Sequence, residues 1–331
     1  MEGGKGEEKE RSSRLVEGGK GEEEERPSRF KPPALGTNPW LVYGTGKSRK
    51  QIFYDVFGGS YHLKSIPEMR NKLIWNCSYG WLILLDEKTL KSFTLLNPIS
   101  MQNIKLPRMR EIAPACVLLS RPLNDPNCYL MCFPMKKKCV VFCKVGDVEW
   151  TEQDLDLGLP PNDNGSLSCV GIYDGQVHML RSQELFLVEI KDYNVTCTNL
   201  KVKRPSLPQR RNRAHRPDSM VESSGELFLI FRFSLGICGQ LFEIIKLDSQ
   251  KKVWVSVQNL NDRAIFANFC CAGPIASFST KECPGLKDNT IYFTFPKDQS
   301  ILYQYNFKEK RVAIYSCPNA TQDWLPMWFF P

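Results

Sequence analysis

The sequence has no long hydrophobic run and few of the residue patterns that carry catalysis. No uninterrupted apolar stretch approaches the roughly 18 residues that a membrane-spanning helix needs, so we expect no membrane insertion. Only three histidines occur among the 331 residues. None lies in a hydrolase-like phrase, and neither His-x-His nor His-Glu-x-x-His is present. We therefore predict no enzyme activity, no catalytic residues, no metal and no cofactor.

The N-terminus also lacks the features of a targeting segment. It has no apolar core of the kind found in a secretory signal, and it is rich in glutamate, which organellar transit peptides avoid. The sequence has thirteen cysteines, an odd number, and they are scattered through apolar segments. This pattern favours buried free thiols in a reducing compartment. The sequence thus predicts a cytoplasmic or nuclear protein, or one found in both.

The first residues contain a tandem duplication. The segment from Glu2 to Arg14 is nearly repeated by the segment from Glu17 to Arg29, and both are charged and almost free of aliphatic residues. Such a stretch cannot bury enough apolar surface to offset the entropy lost on ordering. We predict a disordered tail over residues 1–35 and one folded domain over residues 36–331.

A strand–turn–strand pattern recurs along the rest of the chain, where helical periodicity is scarce. Its clearest copies span Leu241–Val255 and Leu302–Tyr315, and weaker copies span Val140–Trp150 and Leu185–Val195. One hairpin cannot bury its apolar face alone, whereas copies arranged radially can. The pattern predicts an all-β fold, a single β-propeller.

The spacing predicts about six four-stranded blades, with five or seven left open as alternatives. The predicted blades cover residues 39–64, 73–106, 113–150, 168–202, 218–257 and 264–315. The final segment, Trp324–Pro331, is too apolar to be exposed. We expect it to pack against the first blade and a terminal strand to close the ring, which removes open edges.

Two motifs that suggest ligand binding have a simpler structural interpretation. Gly44-Thr-Gly-Lys-Ser48 lacks the earlier glycine of a phosphate-binding loop, since that position is Leu41, and a strand rather than a helix follows. It is predicted to be a polar hairpin turn.

Four cysteines, Cys128, Cys132, Cys139 and Cys143, have spacings that suggest zinc. On a hairpin turning near Met135, Cys132 would oppose Cys139 and Cys128 would oppose Cys143. Residues four apart on a strand are about 13 Å apart, too far for four thiolates to share one metal. We predict core thiols, with a redox-sensitive cross-strand pair as the alternative.

The most basic stretch of the body is Lys201–Arg216, whose prolines predict a loop between blades. It is either a solvated loop or a nuclear-import signal, a nucleic-acid contact or a docking loop for an acidic partner. Nucleic-acid binding is the less favoured function, because the base-stacking aromatic residues that would support it are missing. The candidate partner-binding residues are Arg210, Arg211, Arg213 and Arg216.

Several phrases, in order, resemble the plant KIB-type β-propeller family, an F-box-associated domain of unknown function numbered 295. The matching segments are Ser78–Leu82, Leu95–Pro98, Ile104–Pro107, Met220–Leu227, Lys246–Asp248 with Trp254, Asp262–Phe266, Asn289–Phe293 and Trp328–Pro331. The resemblance covers roughly residues 38–331. It implies a propeller that recognises substrates for a ubiquitin ligase, normally after an F-box.

The residues before Trp40 carry no amphipathic helical pattern, so no F-box is recognisable and binding to the scaffold adaptor is not expected. We therefore predict a monomeric, non-enzymatic protein-interaction module. It would bind an unidentified protein partner through one face of the propeller.

Overall fold

The computed structural model describes residues 39–43, 50–110, 114–160, 165–203, 217–234, 240–269, 275–283, 285–295, 301–316 and 326–331. The predicted tail over residues 1–35 lies outside the described residues. Within the described ranges the chain forms strands and one short 3-10 helix, Pro67–Met69. In that part of the chain, no helix has the length and apolar character to cross a membrane.

The strands form six sheets arranged as the blades of a propeller, which confirms the predicted fold. Blades 2 to 5 are four-stranded antiparallel meanders built from consecutive strands. Blade 2 contains β4 (Lys72–Ser78), β5 (Trp81–Asp86), β6 (Ser92–Leu96) and β7 (Asn103–Arg108). Blade 3 contains β8 (Cys116–Leu119), β9 (Leu130–Phe133), β10 (Cys139–Cys143) and β11 (Thr151–Asp154). Blade 4 contains β12 (Leu167–Tyr173), β13 (Gln176–Arg181), β14 (Glu184–Lys191) and β15 (Asn194–Asn199). Blade 5 contains β16 (Ser219–Ser223), β17 (Glu226–Ser234), β18 (Gln240–Asp248) and β19 (Val253–Val257).

Blade 1 joins strands from distant parts of the chain. Its outer strands are β1 (Trp40–Tyr43), β2 (Gln51–Asp55) and β3 (Ser60–Lys64), and its innermost strand is β25 (Met327–Phe329). Strand β25 pairs antiparallel with β1, so that Trp328 lies opposite Leu41. The Trp328 ring is fully buried, meets Phe266 edge to face and donates from Nε1 to the Ala267 carbonyl at 3.3 Å. The predicted closure is confirmed.

Blade 6 departs from the regular pattern by one strand. It contains β20 (Arg263–Asn268), β21 (Ile275–Ser279), β22 (Thr290–Thr294), β23 (Ile301–Asn306) and β24 (Arg311–Ser316). The innermost strand is β21, which pairs antiparallel with β20. The chain then crosses to the other side of β20, where β22 pairs with β20 in parallel. The prediction of four strands per blade therefore holds for five blades, and the sixth has five strands.

The apolar runs of the inner strands follow from burial on both sides of each blade. In β5, Leu82 and Leu84 pack toward blade 1, whereas Ile83 and Leu85 pack toward blade 3. Alternate side chains thus enter two different interfaces, and all four are buried. The outermost strands have one solvated side, so β11 alternates between half-buried and exposed residues. The packing between blades therefore forms the core of the protein.

Tight turns with left-handed backbone connect several innermost strands to their neighbours. Ser224 and Gly225 have φ values of 51° and 74°, between the paired residues Ser223 and Glu226. This is the geometry of a two-residue hairpin whose twist matches the strands. Ser224 and Gly225 therefore form a two-residue hairpin turn between β16 and β17.

The cysteine-rich hairpin of blade 3 has a different register from the predicted one. Cys132 lies opposite Val141, and Cys143 lies opposite Leu130. The predicted pairs were wrong because the connection after Phe133 is longer than expected and Cys128 precedes β9. No cross-strand pair of thiols therefore arises from this register.

The described cysteines are buried, except for half-buried Cys197, which confirms the interpretation as core thiols. Burial raises the pKa of Cys116 to about 12, and it also raises that of Cys77 to about 12. Both remain protonated near neutral pH and are poor nucleophiles. No group of three or more His, Cys, Asp or Glu side chains within the described ranges is placed to hold a metal ion.

Replacing Trp328 with alanine should destabilise the protein by about 3–5 kcal/mol, because a large cavity would open where β25 closes the propeller. Chemical denaturation measures the free energy of unfolding. The matched control is Trp254→Ala, since Trp254 is half-buried on the outermost strand of blade 5 and should cost less. Equal losses for the two variants would contradict the role given to β25.

In the native protein, Cys116, Cys132 and Cys169 should resist alkylation at pH 8, because burial raises the pKa of each thiol. Mass-spectrometric mapping after brief iodoacetamide treatment measures this. All three should react readily once denaturant unfolds the chain. Rapid labelling of Cys116 in the native protein would contradict the packing between blades 3 and 4.

Candidate functional site

One end of the ring gathers the connections that leave the first and third strands of regular blades. It includes the tight turns Tyr79–Gly80, Asp174–Gly175 and Ser224–Gly225. The final residues reach the same end, since a Cβ placed on Gly80 would lie 3.5 Å from the Pro331 carbonyl carbon. We call this end the turn face.

On blades 2 to 4, the turn face carries five exposed apolar side chains of the described residues. These side chains are Tyr79, Ile99, Val145, Val148 and Tyr193, and Val148 is 93% exposed. The other large exposed apolar residues in the described ranges lie on outermost strands or at the opposite end. We call these five side chains the apolar patch; exposed apolar surface is a common feature of interaction sites.

A cavity of about 300 Å³ opens at the centre of the turn face. The innermost strands of blades 2 to 6 line it, and Phe330 lines it from the end of blade 1. The described residues that line it are Asn76, Cys77, Ser78, Tyr79, Cys116, Leu118, Val170, Gly171, Ile172, Met220, Val221, Glu222, Ile275, Ala276, Ser277 and Phe330. We call it the central cavity.

Most polar groups of the central cavity hold the innermost strands together. Asn76 donates from Nδ2 to the Val117 carbonyl at 2.6 Å, which ties blade 2 to blade 3. The Ser223 and Ser277 hydroxyls are 2.7 Å apart and join blade 5 to blade 6. These groups are structural, because their hydrogen-bonding capacity is used between blades.

The close approach of blades 4 and 5 depends on Gly171. A Cβ at this position would lie 3.1 Å from the Met220 carbonyl oxygen, so any larger residue would push the two innermost strands apart. A glycine inside a strand commonly marks such a contact between backbones. The width of the central cavity is therefore set in part by this residue.

Among the described lining residues of the central cavity, Glu222 is the one with a carboxylate. Its Oε2 accepts a hydrogen bond from the Asp174 backbone N–H at 2.9 Å. Nearby, partial burial of the Tyr79 side chain is the main cause that raises the pKa of its phenol. The Tyr79 hydroxyl is therefore neutral at physiological pH. The cavity thus combines one negative group, a tyrosine and largely apolar walls.

A second cavity of about 360 Å³ lies between blades 3 and 4 on the same face. Next to it, the Lys144 ammonium lies 4.8 Å from the Tyr129 ring and 5.6 Å from the Tyr193 ring. The Tyr193 hydroxyl donates to Asp147 at 2.5 Å. These contacts pack the exposed Tyr193 against blade 3.

The residues singled out in the sequence have different outcomes. Arg210, Arg211, Arg213 and Arg216 lie outside the described residues, so their role stays a prediction. Residues 44–48 also lie outside, but the strand predicted after them is present as β2 and pairs antiparallel with β1.

Two of the three histidines lie within the described ranges. His178 is buried, and burial lowers its pKa, while Nδ1 lies 3.1 Å from the Gln176 carbonyl. The His62 ring packs beside Trp40 at 5.6 Å between centroids. Neither residue lines the central cavity.

Sequence reasoning missed Tyr79 and Glu222 as site residues. Both fall inside segments that carried the family resemblance, Ser78–Leu82 and Met220–Leu227, and those segments were interpreted as parts that build blades. The available signal was position: Tyr79 directly follows the innermost strand β4, and Glu222 is the second-last residue of the innermost strand β16. Convergence of these strand ends becomes visible only when the ring closes.

Comparison with curated proteins finds F-box proteins from Arabidopsis thaliana. The chain is 24% identical to F-box protein At2g05970 over 300 residues, which cover 78% of this chain and 73% of that protein. It is 20% identical to F-box protein At4g00893 over 308 residues, which cover 88% of this chain and 73% of that protein.

Among solved structures, TolB from Acinetobacter baumannii aligns with a TM-score of 0.46 and 8% identity, covering 88% of this chain and 66% of that chain. A likeness this weak carries no functional argument. The family comparison is much stronger, because residues 53–316 match the KIB1-4 β-propeller family. That match spans well over half of the sequence and includes blades 2 to 6, so the chain belongs to the KIB1-4 β-propeller family.

Proposed function

We propose that this protein is a non-enzymatic interaction module that binds a protein partner through the turn face of blades 2 to 4. The proposal rests on one observation. The apolar patch and both described cavities lie on the same face of the propeller. An apolar centre with polar surroundings suits a protein interface.

The chemistry of the turn face supports binding rather than catalysis. In the central cavity, Asn76, Ser78 and Ser277 are hydrogen-bonded to neighbouring strands or turns. None is arranged beside a histidine as an activated nucleophile would be. The two cysteines that line the cavity have raised pKa values because of burial.

Kinship with F-box proteins favours a finer role in substrate recognition for a ubiquitin ligase. The relatives named above are F-box proteins, and this chain covers most of their length. In this role, the propeller would select the protein to be modified, and the turn face would provide the selectivity. The partner protein would then be a ubiquitination substrate.

The substitution Val148→Asp should abolish or strongly reduce partner binding, since it places a charge in the middle of an interface that must be desolvated. The measurement is quantitative mass spectrometry of proteins co-precipitated with the full-length chain. Val255→Asp provides the control, because Val255 is an exposed valine on the outermost strand β19. If Val255→Asp loses the same partners and Val148→Asp keeps them, binding takes place elsewhere.

If the partner is a ubiquitination substrate, Val148→Asp should also lower its ubiquitin content in cells, whereas Val255→Asp should not. Quantification of ubiquitin-remnant peptides on the co-precipitated partner tests this. If the partner binds through the turn face but carries the same ubiquitin level with either variant, the ubiquitin role is contradicted. The interaction role would still be supported.

A further inference from the structure

In the part of the chain that the structure describes, no cationic side chain pairs with the Glu222 carboxylate of the central cavity. Glu222 makes one hydrogen bond, to the Asp174 backbone, and no cationic side chain of the described residues lies within ion-pair distance of its carboxylate. Of the described residues that line the cavity, Glu222 is the only one with a carboxylate, and none of them is a lysine, arginine or histidine. The cavity therefore offers a single negative group to whatever enters it.

Glu226, on the other strand of the same hairpin, is a carboxylate that forms ion pairs within the protein. Lys246 approaches Glu226 at 2.5 Å and Arg263 approaches it at 2.9 Å. Two glutamates four residues apart thus differ sharply: one is neutralised by two internal cations, and the other faces the cavity without one. This contrast leaves the half-buried Glu222 carboxylate open to a cationic group from outside.

The rest of the lining suits a long cationic side chain. Val170, Ile172 and Ile275 form apolar wall, while Tyr79 and Phe330 supply aromatic rings. Lysine and arginine carry an aliphatic stem below the charged group, and aromatic faces attract cations. A small neutral or acidic group would leave Glu222 uncompensated.

We propose that the central cavity binds a lysine or arginine side chain of the protein partner, with Glu222 as the counter-ion and Tyr79 and Phe330 beside the cation. This inference rests on the proposed function, because the side chain belongs to the partner that covers the turn face. The net charge of +8 would by itself favour acidic partners. The central cavity selects locally for the opposite sign.

The Met220 methyl group provides a reporter, because Met220 lines the cavity. The full-length protein is labelled with methyl-¹³C methionine, and the Met220 signal is assigned with the volume-conserving variant Met220→Leu. The probe is the blocked peptide acetyl-Gly-Gly-Lys-Gly-Gly-amide, and a second peptide carries norleucine in place of lysine. The lysine peptide should shift the Met220 signal saturably, and the norleucine peptide should not.

The substitution Glu222→Gln should weaken binding of the lysine peptide about tenfold or more, since a charge-assisted hydrogen bond becomes a neutral one. The amide oxygen still accepts from the Asp174 N–H, so the hairpin contact is preserved. Glu189→Gln is the matched control, because Glu189 is an exposed glutamate that lines the second cavity. Its affinity for the peptide should match that of the wild type.

Three results would overturn the proposal: equal shifts with lysine and norleucine peptides, unchanged affinity in Glu222→Gln, or equal weakening in Glu189→Gln. Butylammonium is a further probe, and if it binds as tightly as the peptide, the occupant is a free amine and not a partner side chain. These outcomes are separate from the Val148→Asp experiment. If the lysine peptide does not shift the Met220 signal but partner binding still depends on Val148, only the cation site is contradicted. The proposal that the turn face binds the partner is then unaffected.

Discussion

The structure depends on the pairing of β25 with β1. Strand β25 contains only three residues, yet it supplies the innermost strand of blade 1 and brings Trp328 against both β1 and β20. Without this pairing, β1 would present an open edge toward the axis of the ring. The Cys77 thiol next to the Phe330 backbone extends the closure to blade 2. One short strand therefore connects the first blade to both of its neighbours.

Much of this fold was predictable because blade interfaces leave a strong pattern in the sequence. Inner strands such as β5 are apolar on both sides, and turns such as Ser224–Gly225 carry residues suited to left-handed backbone. The predicted blade limits lie close to the observed ones, and the apolar C-terminal residues pack where expected. These features are local, so short windows of sequence record them.

Features set by relations between strands were not predictable in the same way. The parallel pairing of β20 with β22 depends on where the chain crosses, and no short window contains that information. The register of the β9–β10 hairpin depended on a turn whose length was misjudged, which changed the partners of Cys132 and Cys143. The central cavity is the extreme case, since Tyr79 and Glu222 come from blades 2 and 5 and meet only at the axis.

The order of the strands along the chain has a consequence for biosynthesis. Strands β1 to β3 leave the ribosome first, while β25 follows only after the other five blades have been made. At typical elongation rates of about 5–20 residues per second, this delay is on the order of tens of seconds. During that time, the half-finished blade exposes an unpaired strand to other chains and to chaperones. Closure of the ring therefore requires that β25 pair with β1 before a competing strand does.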